Sequence, residues 1–388
     1  MSRLGARGAG VAAAGFATFI NLYAPQSVLP LLAAEFRTSL AHTGLTVTAT
    51  LVAIAVVAPF VGGISDALGR RRLIMGATFL LALPTLGAAV APTFEVMVAC
   101  RFMQGLLLPF IFAVTVAYIA DECDGPAAVR ATGTYAVGTI VGGFAGRFVT
   151  GWSAELLGWR AGFLVLAALT VVLAFVIAAT LPAELRFRPV RGWRGSLAGY
   201  RAQLHNRQVL ATCVVGFSVL FTIVGTFTYA NYLMAAPPYS LGPAALGSVF
   251  VVYLLGAAST PLASWATLRL GRRVTVWIGI GAACTGLVLT LVPSLPLIVA
   301  GLALVALGIF TEQVLSIGYV AIVARPARST GVGLYVTCYY VGGALGGVVP
   351  GWAWTHLGWP GCVALGLAVQ GVAFGVTWAA WPAGRASA

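Results

Sequence analysis

Residues 133–159 read GTYAVGTIVGGFAGRFVTGWSAELLGW, and residues 333–359 read GLYVTCYYVGGALGGVVPGWAWTHLGW. Laid over one another without a gap, Gly133, Tyr135, Gly142, Gly143 and Gly146 meet Gly333, Tyr335, Gly342, Gly343 and Gly346. Gly151-Trp152 meets Gly351-Trp352, and Leu157-Gly158-Trp159 meets Leu357-Gly358-Trp359. Glycine-rich apolar stretches converge by composition, but paired Gly-Trp and Leu-Gly-Trp steps in one register mark a duplicated unit. A second echo is Leu68-Gly69-Arg70-Arg71 against Leu270-Gly271-Arg272-Arg273.

These echoes sit in a chain of 388 residues that is 60% hydrophobic and 8% charged, with a mean hydropathy of +0.98. A soluble domain carries about a quarter charged residues, so this chain lacks the polar surface to face water all round. Its apolar runs are each about 20 residues long, the length at which a helix crosses about 30 Å of hydrocarbon. Read between charged or Pro/Gly turns, they fall near 9–31, 44–65, 73–91, 94–118, 132–154 and 160–180, then 209–234, 243–268, 273–293, 296–320, 330–354 and 359–380. The echoes lie in spans two and eight and in spans five and eleven, six apart and in the same orientation. The expected fold is therefore an all-α polytopic membrane protein with twelve transmembrane helices in two pseudo-symmetric six-helix bundles. The bundles are expected at 1–182 and 209–388, with a basic cytoplasmic linker at 183–208.

The net charge is +13 and all 22 basic residues are Arg. With both termini in the cytoplasm, 18 of the 22 face inward; Arg37 and Arg160 face out, and Arg101 and Arg147 lie inside spans. Such an asymmetry sets orientation in a bacterial cytoplasmic (inner) membrane and removes the need for a nucleic-acid partner. In the linker, Arg residues alternate with Phe187, Trp193, Leu197, Tyr200 and Leu204, a pattern suited to the lipid headgroup layer or to a plain positive tether. The six cysteines and three histidines are scattered, so neither a disulfide framework nor a metal site is expected. Nucleophile, zinc-protease and selectivity-filter patterns are absent, which argues against an enzyme or an ion channel. A chain without Lys also has no phosphate-binding Gly-x-x-x-x-Gly-Lys-Ser/Thr loop. Energy is expected from a proton gradient or from the substrate, with no cofactor.

Five places within this frame carry chemistry. Gly62-Gly63-Ile64-Ser65-Asp66-Ala67-Leu68-Gly69-Arg70-Arg71-Arg72 ends span two. There Asp66 can hold Arg70, Gly69 permits a tight reversal and Gly62 permits close helix approach, together a charged latch. Arg101, with Gln104 and Gly105, is a permanent charge inside span four that must reach water, headgroups or a partner. Arg147 follows the glycine stripe Gly138, Gly142 and Gly146, which is expected to bring spans five and eleven together; it is a substrate or gating contact or a structural pair. Glu312, beside Gln313, is a carboxyl within a span, a candidate for proton coupling and substrate recognition or a satisfied ion pair. Asp121, with Glu122 and Asp124, ends span four, where it can exchange partners with Arg70, Arg71 or Arg130. Further substrate candidates are Asn21, Tyr23 and Gln26, with Pro25 freeing a backbone carbonyl among them, and Gln104, Tyr229, Asn231, Gln313, Tyr339 and Tyr340.

The segment from Gly62 resembles the loop between spans two and three of the major facilitator superfamily, Gly-x-Leu-Ala-Asp-Arg-x-Gly-Arg-Lys. Gly62, Asp66, Gly69, Arg70 and Arg71 take its places; in the second half Ser264 and Leu268 replace the first Gly and the Asp. Arg101-Phe102-Met103-Gln104-Gly105 resembles the family's Arg-x-x-Gln-Gly motif, placed near the central path in proton-coupled members. Span five resembles the antiporter signature Gly-x-x-x-Gly-Pro-x-x-Gly-Gly, with Gly143 in place of Pro and Arg147 in place of the last Gly. The resemblance implies a secondary carrier like those of the drug and metabolite:proton antiporter branch, exporting a small amphipathic organic compound in exchange for protons. Glu312, Arg101 and Asp121 would then serve coupling. Symport or facilitated movement of a small organic anion is the other reading. The implied partners are the small-molecule substrate, protons and membrane lipids, and the implied working form is a monomer.

Overall fold

A computed structural model describes residues 3–184, 202–325 and 328–382, with 3–6 and 328–329 described by backbone alone. The basic linker expected at 183–208 falls largely on 185–201, outside the described residues. Among the described residues all regular structure is helical.

The chain opens with α1 (Arg3–Leu22), a 3-10 turn at Ala24–Val28 and α2 (Leu29–Glu35). The interruption follows from Pro25, which cannot donate the next helical hydrogen bond. After the short α3 (Leu40–Thr43) come α4 (Leu45–Leu68), α5 (Arg70–Ala89), α6 (Phe94–Glu122), α7 (Gly125–Leu157) and α8 (Trp159–Thr180). The second half holds α9 (Arg207–Ala235), α10 (Pro243–Val249), a 3-10 turn at Phe250–Leu254, α11 (Leu255–Leu270), α12 (Arg272–Leu289), α13 (Leu295–Val323) and α14 (Arg328–Ala380). α14 is two legs that meet at the non-helical Gly358. Among the described residues ten helices are long and apolar enough to cross a bilayer, the last counting both of those legs; α7, 33 residues long but glycine-rich, is long enough without being counted among them. Each of the twelve expected spans falls on a helical leg.

Contacts group the chain into two compact units, one of Met1–Thr38, Ala49–Gly192 and Gly242–Phe250, the other of Ser39–Thr48, Trp193–Leu241 and Val251–Ala388. Each sequence half thus lends a short segment to the other unit: α10 in one case, α3 with the start of α4 in the other.

Inside each unit a glycine stripe brings two helices to backbone contact. In the first, side chains at Gly138, Gly142 and Gly146 of α7 would strike the carbonyl oxygens of Ala12, Phe16 and Ile20 of α1. In the second, Gly342 and Gly346 of α14 stand in the same way against Phe217 and Phe221 of α9. The stripe read from sequence as a contact between spans five and eleven is therefore filled by the first helix of its own unit, which runs alongside it over several turns.

The duplicated Gly-Arg-Arg and Leu-Gly-Trp steps have a backbone cause. Gly69, Gly158, Gly271 and Gly358 link successive helices with φ of 92°, 86°, 84° and 63°, and their ψ values are extended. Only glycine occupies that region without strain, at a cost of about 1–3 kcal/mol for other residues. Gly158→Ala and Gly358→Ala are each expected to lower stability by about that amount. Gly133→Ala, where a methyl meets nothing within 4 Å, should change it by less than about 0.5 kcal/mol. Thermal unfolding of the purified variants in detergent reads the difference.

Candidate functional site

The most enclosed charge of the first unit is Arg101, on α6 and fully buried. Its guanidinium donates to the carbonyl oxygens of Asn21 (2.9 Å) and Leu22 (2.5 Å) and to Gln104 Oε1. Those carbonyls are available for a local reason. The helical donor for Asn21 would be residue 25, a proline without an N–H; the donor for Leu22 would be Gln26, whose N–H turns to Tyr23 O instead (3.1 Å). Gln104 Nε2 donates to Thr85 Oγ1 (2.7 Å), Thr85 donates to Asn21 Oδ1 (3.0 Å), and Asn21 Nδ2 donates to Thr170 Oγ1 (2.8 Å). One net thus joins α1, α5, α6 and α8. Gly105 is glycine because a side chain there would strike Thr50 O and Ala53 of α4.

Arg147, on α7, is 1% exposed. Its Nε donates to Gln26 Oε1 (2.7 Å) and its Nη1 to Gly143 O (2.5 Å). The guanidinium lies 4.6 Å from the Tyr23 ring centre and 4.4 Å from that of Phe250, a double cation–π contact. Tyr23, Gln26 and Arg147, three separate substrate candidates in sequence, form one cluster. Phe250 has no such standing in the sequence.

The loop before α5 is built from charge. Arg70 pairs with Asp66 (2.8 Å) and Asp121 (2.5 Å) and donates to Ser65 Oγ (2.5 Å). Arg71 reaches the end of α8, donating to Ala178 O (2.9 Å) and Leu181 O (2.6 Å), while its backbone N–H donates to the Glu184 carboxylate. Asp121 stands 20 residues beyond Arg101 on α6, about 30 Å away along the helix, and belongs to this charged cluster. The close approach expected at Gly62 is not made: Gly62 is exposed and an added methyl would meet nothing within 4 Å. Ser65, one turn on, is buried and accepts from Arg70.

In the second unit Glu312, on α13, is fully buried. Oriented by its hydrogen-bonding surroundings, the Gln370 amide donates to the carboxylate at 3.2 and 3.3 Å and accepts from Thr222 Oγ1 at 3.1 Å. Gly279 of α12 packs against the Glu312 side chain. No ion pair to Glu312 occurs among the described residues. Gln313 points elsewhere, donating to Tyr339 Oη (2.9 Å), and Tyr339 and Tyr340 meet edge to face at 5.3 Å. Tyr229 donates to Gly347 O (3.0 Å), and Asn231 is buried on the same helix, α9. Among the described residues no group of three His, Cys, Asp or Glu could hold a metal ion.

Of the residues outside the sequence reading, Thr85, Thr170, Thr222 and Gln370 complete buried nets, and Phe250 and Glu184 complete charged clusters. Each is a single polar or aromatic residue whose partner lies far away in the chain, so spacing carries no signal for it.

Residues 11–240 match the family model described as Major Facilitator Superfamily. The chain is 28% identical over 349 residues to the inner membrane transport protein YnfM of Escherichia coli, covering 90% of this chain and 84% of that protein. It is 27% identical over 355 residues to the uncharacterized MFS-type transporter YybF of Bacillus subtilis, covering 91% and 88%. Among solved structures, a bacterial homologue of the human lysosomal transporter Spinster, inward-facing and unoccupied, superimposes with a TM-score of 0.77 at 15% identity, covering 98% of this chain and 93% of that one. A point mutant of the nucleoside transporter NupG gives 0.75 at 15%, covering 95% and 98%. These two likenesses speak to the fold alone.

The Arg101 net yields a direct expectation. Gln104→Met removes the acceptor for a buried guanidinium N–H and the donor to Thr85, and should destabilise the protein by about 1–3 kcal/mol. Thermal unfolding in detergent measures it, and Gln104→Glu, which keeps the acceptor, should lose less.

Proposed function

The chain belongs to the Major Facilitator Superfamily, a family of transporters rather than enzymes, and from that premise we propose that it exports a small amphipathic organic compound in exchange for protons. It is a multi-pass membrane protein, and the proposal places it in the drug/metabolite:proton antiporter branch, working as a single chain by alternating access with both termini in the cytoplasm. The proton gradient is the energy source and no cofactor takes part.

The observation that carries this reading is Glu312. A carboxyl enclosed within a membrane bundle, with an amide and a hydroxyl nearby instead of a cation, holds its charge at a cost that changes whenever its surroundings do. It is thereby suited to accept a proton in one conformation and give it up in another. Gln370, able to turn its amide, serves either form: it donates to the carboxylate or accepts from the carboxylic acid. Arg101 is occupied by carbonyls and acts as a fixed charge. Tyr23, Gln26 and Arg147 in one unit, and Gln313, Tyr339 and Tyr340 in the other, offer the ring faces with few polar handles that an amphipathic compound needs. The latch formed by Asp66, Arg70, Arg71 and Asp121 serves gating.

One observation favours a second reading. The Arg147 guanidinium between two rings is a ready partner for a carboxylate or other anionic group, which would make the chain a symporter or facilitator for a small organic anion.

Purified protein in liposomes, with pH and voltage gradients imposed separately, tests the proposal. Wild type is expected to move substrate in response to the pH gradient. Glu312→Gln should lose at least about 90% of that movement while keeping substrate-for-substrate exchange. Full pH-driven transport by Glu312→Gln overturns the coupling role, and gradient-independent downhill flux by wild type identifies a facilitator.

A further inference from the structure

A cavity of about 510 Å³ opens at one end of the first unit, between α1, the end of α6 and the start of α7. Its lining carries two charges, Arg7 and Arg130, with Cys123 and Thr134; the remaining lining residues are Gly and Ala, and none is a carboxylate. Arg7 is held in place by donating from Nη1 to Glu122 O (2.9 Å) and weakly to Cys123 Sγ (3.7 Å). Its Nε is buried and has no hydrogen-bond partner among the described residues. Arg130 is exposed and makes no ion pair among the described residues. The first turn of α7, which contributes Ala127 to the wall, adds the positive end of a helix dipole. Glu122 and Asp124 are close in sequence but do not line the cavity.

We propose that this cavity binds a phosphate group, with Arg7 and Arg130 as its two guanidinium partners. Two guanidinium groups around one cavity match a tetrahedral oxyanion better than a single carboxylate. The space exceeds a lone phosphate and accommodates the glycerol beside it. Two sources share this chemistry: the phosphodiester of an anionic phospholipid in the inner leaflet, and a soluble phosphate from the cytoplasm. The site is independent of substrate identity and of the role of Glu312.

The test uses the full chain in an uncharged detergent and follows thermal stability and native mass spectra during titration. One arm adds phosphatidylglycerol, with phosphatidylcholine as reference; the other adds inorganic phosphate or glycerol 3-phosphate. Saturable binding in at least one arm is expected, weakened at least about tenfold by Arg7→Gln/Arg130→Gln and unchanged by Arg207→Gln/Arg269→Gln, which removes equal charge elsewhere. A response to phosphatidylglycerol alone assigns the site to lipid; a response to the soluble probes assigns it to the cytoplasm. Because Arg130 is exposed, Arg130→Gln alone keeps the fold and must also weaken binding. Absence of saturable binding in both arms, unchanged binding in these variants, or equal loss in the Arg207/Arg269 control overturns the proposal.

Discussion

A guanidinium inside a hydrocarbon-embedded bundle needs its donors met, and Arg101 finds two of its acceptors at a break in the neighbouring helix. Pro25 interrupts α1, the carbonyls of Asn21 and Leu22 lose their helical donors, and Arg101 takes both. Two defects that would each be costly alone, an unsatisfied helix end and a buried charge, cancel one another. Around that point α1, α5, α6 and α8 are fixed by side-chain hydrogen bonds, while the glycine stripe of α7 fixes the remaining face of α1. The first unit is organised from this junction outward.

The duplication extends to the polar interior. Ile20 and Phe221 occupy matching places over Gly146 and Gly346, so Asn21 and Thr222, the next residues, match as well. Thr170 and Gln370 each lie twelve residues beyond a positive-φ glycine, Gly158 and Gly358. In one unit Asn21 donates to Thr170; in the other Thr222 donates to Gln370. The same pair of helices is tied at the same height in both units, with donor and acceptor residue types exchanged. What each net then encloses differs in sign: Arg101 in the first, Glu312 in the second. A duplicated scaffold has thus come to hold a buried guanidinium in one unit and a buried carboxyl in the other.

How much of this could be read from the chain alone follows from how locally each feature is encoded. Spans and turns rest on contiguous composition, and Gly69 on a single-residue backbone demand; these were legible, whereas Gly158, Gly271 and Gly358 showed only as repeated residues whose positive φ the backbone reveals. Arg101, Gln104 and Gly105 were legible as a group, and so was the carbonyl freed by Pro25. Their meeting was not, because it depends on the placement of α6 beside α1, about 80 residues away in the chain. Thr170, Gln370 and Phe250 escaped notice for the same reason. Gly62 and the glycine stripe of α7 were legible as small residues, but a small residue does not say which helix fills the space it leaves, and at Gly62 none does.

The junction between Arg101 and the Pro25 break is most directly tested by a double-mutant cycle on thermal stability in detergent, using Arg101→Met, Pro25→Ala and the double variant. Pro25→Ala gives the Asn21 carbonyl back a helical donor, so the two sites should couple by at least about 1 kcal/mol. Additive losses within about 0.3–0.5 kcal/mol would show that Arg101 does not draw its support from the broken end of α1, contradicting the account.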